Sequence, residues 1–175
     1  HSTMNITSGG TFSYRIGGLV GHNHYGSIYD CYSTGNIKAY GTYRSHSNGG
    51  LVGYNYYSNI SNCYCMGDVF GDHCIGGLVG RNEQSSIHTC FSTGKVTGGD
   101  ILGGLIGYDY ESSGTNYLAC FWNSEVNSGL TGVGNITDPA EVMGKTTNQM
   151  KIQTTYTDYN WEFPGVWHMP YAGAG

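Results

Sequence analysis

The sequence predicts an all-β solenoid of about four stacked coils, and three observations carry that expectation. A Gly-Gly-Leu-Val-Gly block recurs at a fixed period. The stretches between blocks are short and rich in Val, Ile, Tyr and Thr, and Gly, Asn and Ser punctuate them. The block occupies residues 17–21, 49–53 and 76–80, and returns as Gly-Gly-Leu-Ile-Gly at 103–107, at intervals of 32, 27 and 27 residues. Segments this short are not ordinary helices, so three β segments per coil are expected.

Equivalent residues then fall into columns, because coils stacked at the strand spacing of about 4.8 Å place each position over its counterpart. Leu19, Leu51, Leu78 and Leu105 form one apolar ladder. Asn23, Asn55, Asn82 and Asp109 follow each block, and Ile28, Ile60 and Ile87 come next. Cys31, Cys63, Cys90 and Cys120 make a second buried ladder, a small side chain suited to a tight inner position. Alternation along the strand puts Cys31 and Ser33 on one face and Tyr32 on the other, aromatic side outward. One column after the Thr-Gly turn, Asn36, Asp68, Lys95 and Glu125, reads as an exposed ion-pair row.

Bulk composition narrows the function classes. Thirty glycines and three prolines in 175 residues, with 11% charged and 38% hydrophobic residues, exclude a disordered charged tail and argue against a helical bundle. Net charge is −5 with seven Lys and Arg spread along the chain, so no basic stripe is available for nucleic acid. Apolar runs such as Ile101-Leu102 and Leu105-Ile106 are interrupted by glycine, which excludes insertion in a membrane as an apolar helix. His1 to Met4 carry neither a basic start nor an apolar stretch, so the chain is expected to be a mature product or a fragment of a longer parent.

The repeated pattern, GGLVGxN followed by I-x-x-C-Y/F-S-T-G-x-V, resembles the GLUG motif family over residues 16–126, with the stretch from Cys120 to Phe163 similar to the family's C-terminal ending. The resemblance implies a right-handed parallel β-helix in a secreted or cell-surface, adhesin-like protein. Residues 1–126 are assigned to the coils, with 1–16 a partial coil matching the second half of a repeat, and 127–175 to a C-terminal capping region. The partial coil leaves an N-terminal β edge that a longer parent or a second copy, stacked head to tail, is expected to cover.

Beyond the fourth coil the period gives way to helix signals. Asp138-Pro139-Ala140-Glu141 and Thr146-Thr147-Asn148-Gln149 are capping boxes, each expected to open a short helix. Tyr156, Tyr159, Trp161, Phe163, Val166 and Trp167 concentrate aromatic area, with Trp161, Phe163 and Trp167 expected to lid the open end of the solenoid.

For function, the columns to watch are His22, Tyr54, Arg81, Tyr108 and, two residues on, His24, Tyr56, Glu83, Tyr110. Tyr, His and Arg in fixed register suit recognition of a glycan or of a host or cell-surface protein. No catalytic residues are assigned. Matching coils bring no carboxylate pair together, and no metallopeptidase, nucleophile-elbow or phosphate-loop motif occurs. Cys63, Cys65, His73 and Cys74 offer soft ligands at a spacing of no known zinc finger, so no metal or other cofactor is expected. Cys65 and Cys74 are instead candidates for a disulfide that would favour an oxidising compartment. The reading is therefore a non-catalytic structural and adhesive module outside the cell. A self-assembling filament subunit and a polysaccharide-active β-helix enzyme are the alternatives.

Overall fold

The computed structural model describes residues 1–41, 45–110, 116–163, 165 and 167. Val166, one of the residues of the aromatic C-terminal stretch, lies outside the described residues.

The chain winds through three parallel sheets, and each turn passes through all of them. In the second coil the path runs Ser45–Gly49, Val52–Tyr56, Asn59–Ser61, Tyr64–Cys65 and then Val69–Gly76, which leads into the next block. There are thus five strand segments to a turn where three were expected. Three sheets remain, because bends divide the largest sheet without ending its pairing. The registers are those of the repeat: Val20↔Val52↔Val79↔Ile106, Ile28↔Ile60↔Ile87↔Tyr117 and Tyr32↔Tyr64↔Phe91↔Phe121. The N-terminal strands Ile6–Ser8 and Ser13–Gly17 pair with Ile37–Ala39 and Ser45–Gly49, as their likeness to half a repeat predicts. Parallel pairing continues past residue 126: Thr131–Val133 joins the fourth coil's Val96–Tyr110, and Val142–Lys145 joins Cys120–Asn123.

The core is a stack of ladders. Leu51, Leu78 and Leu105 are fully buried, with Leu19 packed against them, and Cys63, Cys90 and Cys120 run alongside with Cys31 at the less covered end. The double glycine has a packing reason. A Cβ at Gly50 would overlap the sulfur of Cys65, and one at Gly104 would overlap the Trp122 ring, since the inward residue of the Tyr-Ser strand fills that space. All six cysteines are free, including Cys65 and Cys74, the candidates for a disulfide. Cys65 faces the interior against Gly50, whereas Cys74 sits in the bulge of its strand on another side of the wall. Burial pushes the thiols of Cys65 and Cys120 up to about 12.

Polar ladders hold the register. Asn23 Nδ2 donates to Asn55 Oδ1 at 2.9 Å, and Asn55 Nδ2 donates to Asn82 Oδ1 at 3.0 Å. In the fourth coil Tyr117 takes the place of isoleucine. Its hydroxyl accepts from Asn82 at 3.3 Å and donates to Asp109 at 2.8 Å, closing the ladder on a buried carboxylate. The expected ion-pair row does something else. Asn36 Oδ1 accepts the Asp68 N–H, and Asp68 Oδ1 accepts the Lys95 N–H, so each side chain caps the backbone one coil on; Glu125 instead accepts the Thr147 N–H.

Corners are made without glycine. Positive φ recurs in three columns, Arg15, Ser47, Cys74, Ile101; Tyr25, Tyr57, Gln84; and Asp30, Asn62, Thr89, Ala119, with φ between 46° and 64°. A left-handed L-residue costs roughly 1–2 kcal/mol, a strain the flanking ladders overcome.

The C-terminal region differs from expectation in two ways. Asp138 starts no helix: its carboxylate accepts the Gly132 and Val133 N–H groups, and the following residues enter the sheet as Val142–Lys145. The second capping box does form, Thr146 N–H donating to Gln149 Oε1 and Gln149 N–H to Thr146 Oγ1, at the 3-10 turn Gln149–Lys151; the helix Thr154–Thr157 follows. The aromatic cluster, moreover, covers a flank. Trp161 and Trp167 lie 6.1 and 5.8 Å from Phe91, Trp161 lies 5.6 Å from Phe121, and Trp167 lies 5.9 Å from Tyr64. The reason is the strand pleat: with Cys and Ser inward, the Tyr and Phe rings of three coils point outward and need cover. Phe163 packs at the edge of this cluster, and Trp161 Nε1 donates to the Ala119 carbonyl at 3.2 Å.

Candidate functional site

Where the largest sheet bends, the strand before each glycine block and the strand after it stand as two walls of a groove of about 500 Å³ that runs across successive repeats. One wall is the predicted column, with Tyr54, Arg81 and Tyr108 lining it and Tyr110 at its end. The facing wall is Tyr14, His46 and His73, in register with Asp100. Ser47 and Cys74, both buried, form the floor, and Arg15 stands at the rim. Burial pushes the Cys74 thiol up to about 11, so it remains a neutral thiol at ordinary pH.

The predicted wall is internally braced. The His22 ring stacks on Tyr54 at 4.9 Å. Two guanidiniums, Arg15 from the coil before and Arg81 from the coil after, each lie 5.1 Å from the Tyr54 ring centroid. Arg81 also reaches Tyr108 at 5.7 Å and Tyr110 at 5.6 Å. Glu83 draws the set together, accepting from Tyr54 hydroxyl at 2.6 Å and from Arg81 Nη2 at 2.9 Å. Burial first, and the Glu83 hydrogen bond second, push the Tyr54 phenol up to about 12. His22 is held below its ordinary value by burial, then by Arg15, whose Nη1 lies 3.2 Å from His22 Nδ1, and by His24. Opposite, Tyr14 stacks on His46 at 5.5 Å, His46 meets His73 edge-on at 4.9 Å, and His73 Nδ1 lies 4.0 Å from Asp100.

Of the eight residues in the two predicted columns, Tyr54, Arg81, Tyr108 and Tyr110 line the groove, Glu83 braces it, and His22 supports it through Arg15 and Tyr54. His24 and Tyr56 continue the wall beyond the groove lining, His24 stacked on His22 at 5.3 Å and Tyr56 5.6 Å from Tyr54, and they meet Tyr25 and Tyr57 at the next corner. The facing wall was missed, although its signal was present. Tyr14, His46, His73 and Asp100 each stand three residues before the first glycine of a block.

Residues 12–38, 45–69 and 71–97 match the model of the GLUG motif. These coils are GLUG repeats. Each GLUG match begins in the Tyr14 wall or just before it and passes through the glycine block, so both walls of the groove are built from the repeat itself. The fourth copy lies outside the matched ranges, and there Tyr117, Trp122 and Asp109 replace the Ile, Ser and Asn of the GLUG coils. No curated protein and no solved structure matches the chain. Among the described residues, no helix is long and apolar enough to cross a membrane.

Proposed function

We propose that this parallel β repeat module is a right-handed β-helix of about four coils with a C-terminal cap, displayed outside the cell and adhesive without catalysis. Its ligand is an elongated glycan lying along the groove. The observation that carries the reading is the groove: two parallel columns of rings and cationic groups on successive coils, about 4.8 Å apart, a repeat of the same order as one sugar unit. Rings already stacked lose little conformational freedom on binding, and contacts repeated coil by coil add along a polymer. Among the described residues lining the groove none is Asp or Glu, which suits holding a saccharide better than cleaving it. An extracellular site rests on the GLUG resemblance.

The test is calorimetric titration of the full chain with hexasaccharides of several linkage types. Tyr108→Ala and Tyr110→Ala are expected to weaken the best ligand about tenfold each, in line with the loss of a ring platform. Binding unchanged in both variants, or sugar release from the oligomers, would sink the reading.

A further inference from the structure

We infer that the groove selects an acidic saccharide, one that carries carboxylates along its length, such as a polyuronate. The inference rests on the glycan reading above and names the ligand class.

Charge in this chain is segregated. The whole carries −5, yet two of its three arginines stand in the groove with His46 and His73, and no carboxylate occurs among the described lining residues. Two described acids flank the walls: Glu83 is engaged by Tyr54 and Arg81, and Asp100 closes the histidine wall, its side chain 68% exposed. Among the described residues no carboxylate pairs with Arg15, whose guanidinium is steadied by His22 and the Tyr54 ring. Arg81 gives Nη2 to Glu83, and its side chain stays 35% exposed in the groove wall. A planar fork, fixed by rings on either side, is shaped for a carboxylate.

The rings decide what bears that carboxylate. Tyr54 and Tyr108 alternate with Arg81 along one wall, so an acid group and a sugar face can be met on consecutive coils. An acidic peptide fits less well. Central strands are hydrogen-bonded to the coil above and the coil below, so their backbone offers no edge for an added strand, and such a peptide would hold by side chains alone.

The experiment titrates the full chain with three probes: a hexamer of galacturonic acid, the same hexamer as its methyl ester, and a hexaglutamate peptide. The acid hexamer is expected to bind about tenfold or more tightly than the ester, and to weaken as salt rises. Arg15→Gln, at the exposed rim, should remove most of that preference without changing the melting temperature; Arg81→Gln should do the same with some loss of stability. If the ester binds as tightly as the acid, or Arg15→Gln keeps the preference, acid selectivity is overturned while glycan binding stands. Hexaglutamate binding as tightly as the acid hexamer would overturn the saccharide assignment. Binding of none of the three, together with failure of neutral hexasaccharides, would remove both readings.

Discussion

Two aromatic stacks run along this solenoid, built by the same means and left in opposite states. On one flank Tyr32, Tyr64 and Phe91 stack at 4.8 and 4.9 Å, and the C-terminal Trp161 and Trp167 close over the stack from Tyr64 to Phe121. On the groove wall His22 stacks on Tyr54 at 4.9 Å, the rings are interleaved with Arg81, and no described segment lies across them. In-register repetition produces such stacks wherever an outward column is aromatic. What separates a structural stack from one open to a ligand is the interleaved charge. An apolar column gains by being covered, whereas a guanidinium between rings would carry a desolvation cost under a lid.

Breaking the covered stack should cost most. Trp161→Ala removes the ring that contacts Phe91, Phe121 and Tyr156 and the bond to Ala119, and is expected to lower stability by about 3–5 kcal/mol in urea unfolding. A smaller loss is expected from Tyr117→Phe, which takes the donor from buried Asp109 and the acceptor from Asn82 beneath the open wall. About 1–3 kcal/mol should disappear, read from the same unfolding curves.

Alkaline titration compares the two regions in a single experiment. Tyr156, under the cover, and Tyr54, in the groove, are both pushed up to about 12, the first by burial alone and the second by burial and then Glu83. Each phenol stays neutral in the fold, while its unfolded counterpart ionises near pH ~10. The stability they contribute is therefore whole below that pH and is lost as pH rises towards about 12. Ultraviolet difference absorbance should show late-ionising phenols, with one fewer in Tyr54→Phe. The smallest effect belongs to the open wall: Tyr108→Ala should change stability by no more than about 0.5–1 kcal/mol, although the same change weakens ligand capture. A loss as large as that of Trp161→Ala would mean that the open wall is structural as well.

Much of this was legible from the period alone. Once the glycine blocks are aligned, the Leu, Cys and Asn columns, the register of every central strand and one wall of the groove follow from position. What could not be read is whatever depends on direction across the bend. Tyr14, His46 and His73 face Tyr54 and Arg81 because the sheet folds at a bulge, and no spacing states that angle. Nor does a local motif reveal its competitors. Asp138-x-x-Glu141 is a sound helix start, yet the open edge of Cys120–Asn123 needed a strand, and Asp138 caps the Gly132 and Val133 N–H groups instead. The aromatic C-terminus was expected to lid the open end of the solenoid, whereas Trp161 and Trp167 pack on Tyr64, Phe91 and Phe121. They meet the flank because the pleat turns a column of Tyr and Phe rings outward there.

The left-handed corners have a consequence for change over time. Residues as unlike as Arg15, Ser47, Cys74 and Ile101 hold the same positive φ in one column, and Ile101 does so despite a branched Cβ that disfavours it. The conformation is imposed by the ladders on both sides, so the path of the chain is indifferent to which side chain occupies the corner. That column supplies the rim and floor of the groove. The groove can therefore be rewritten one coil at a time by point substitution, or lengthened by duplicating a coil, while the scaffold that aligns it stays the same.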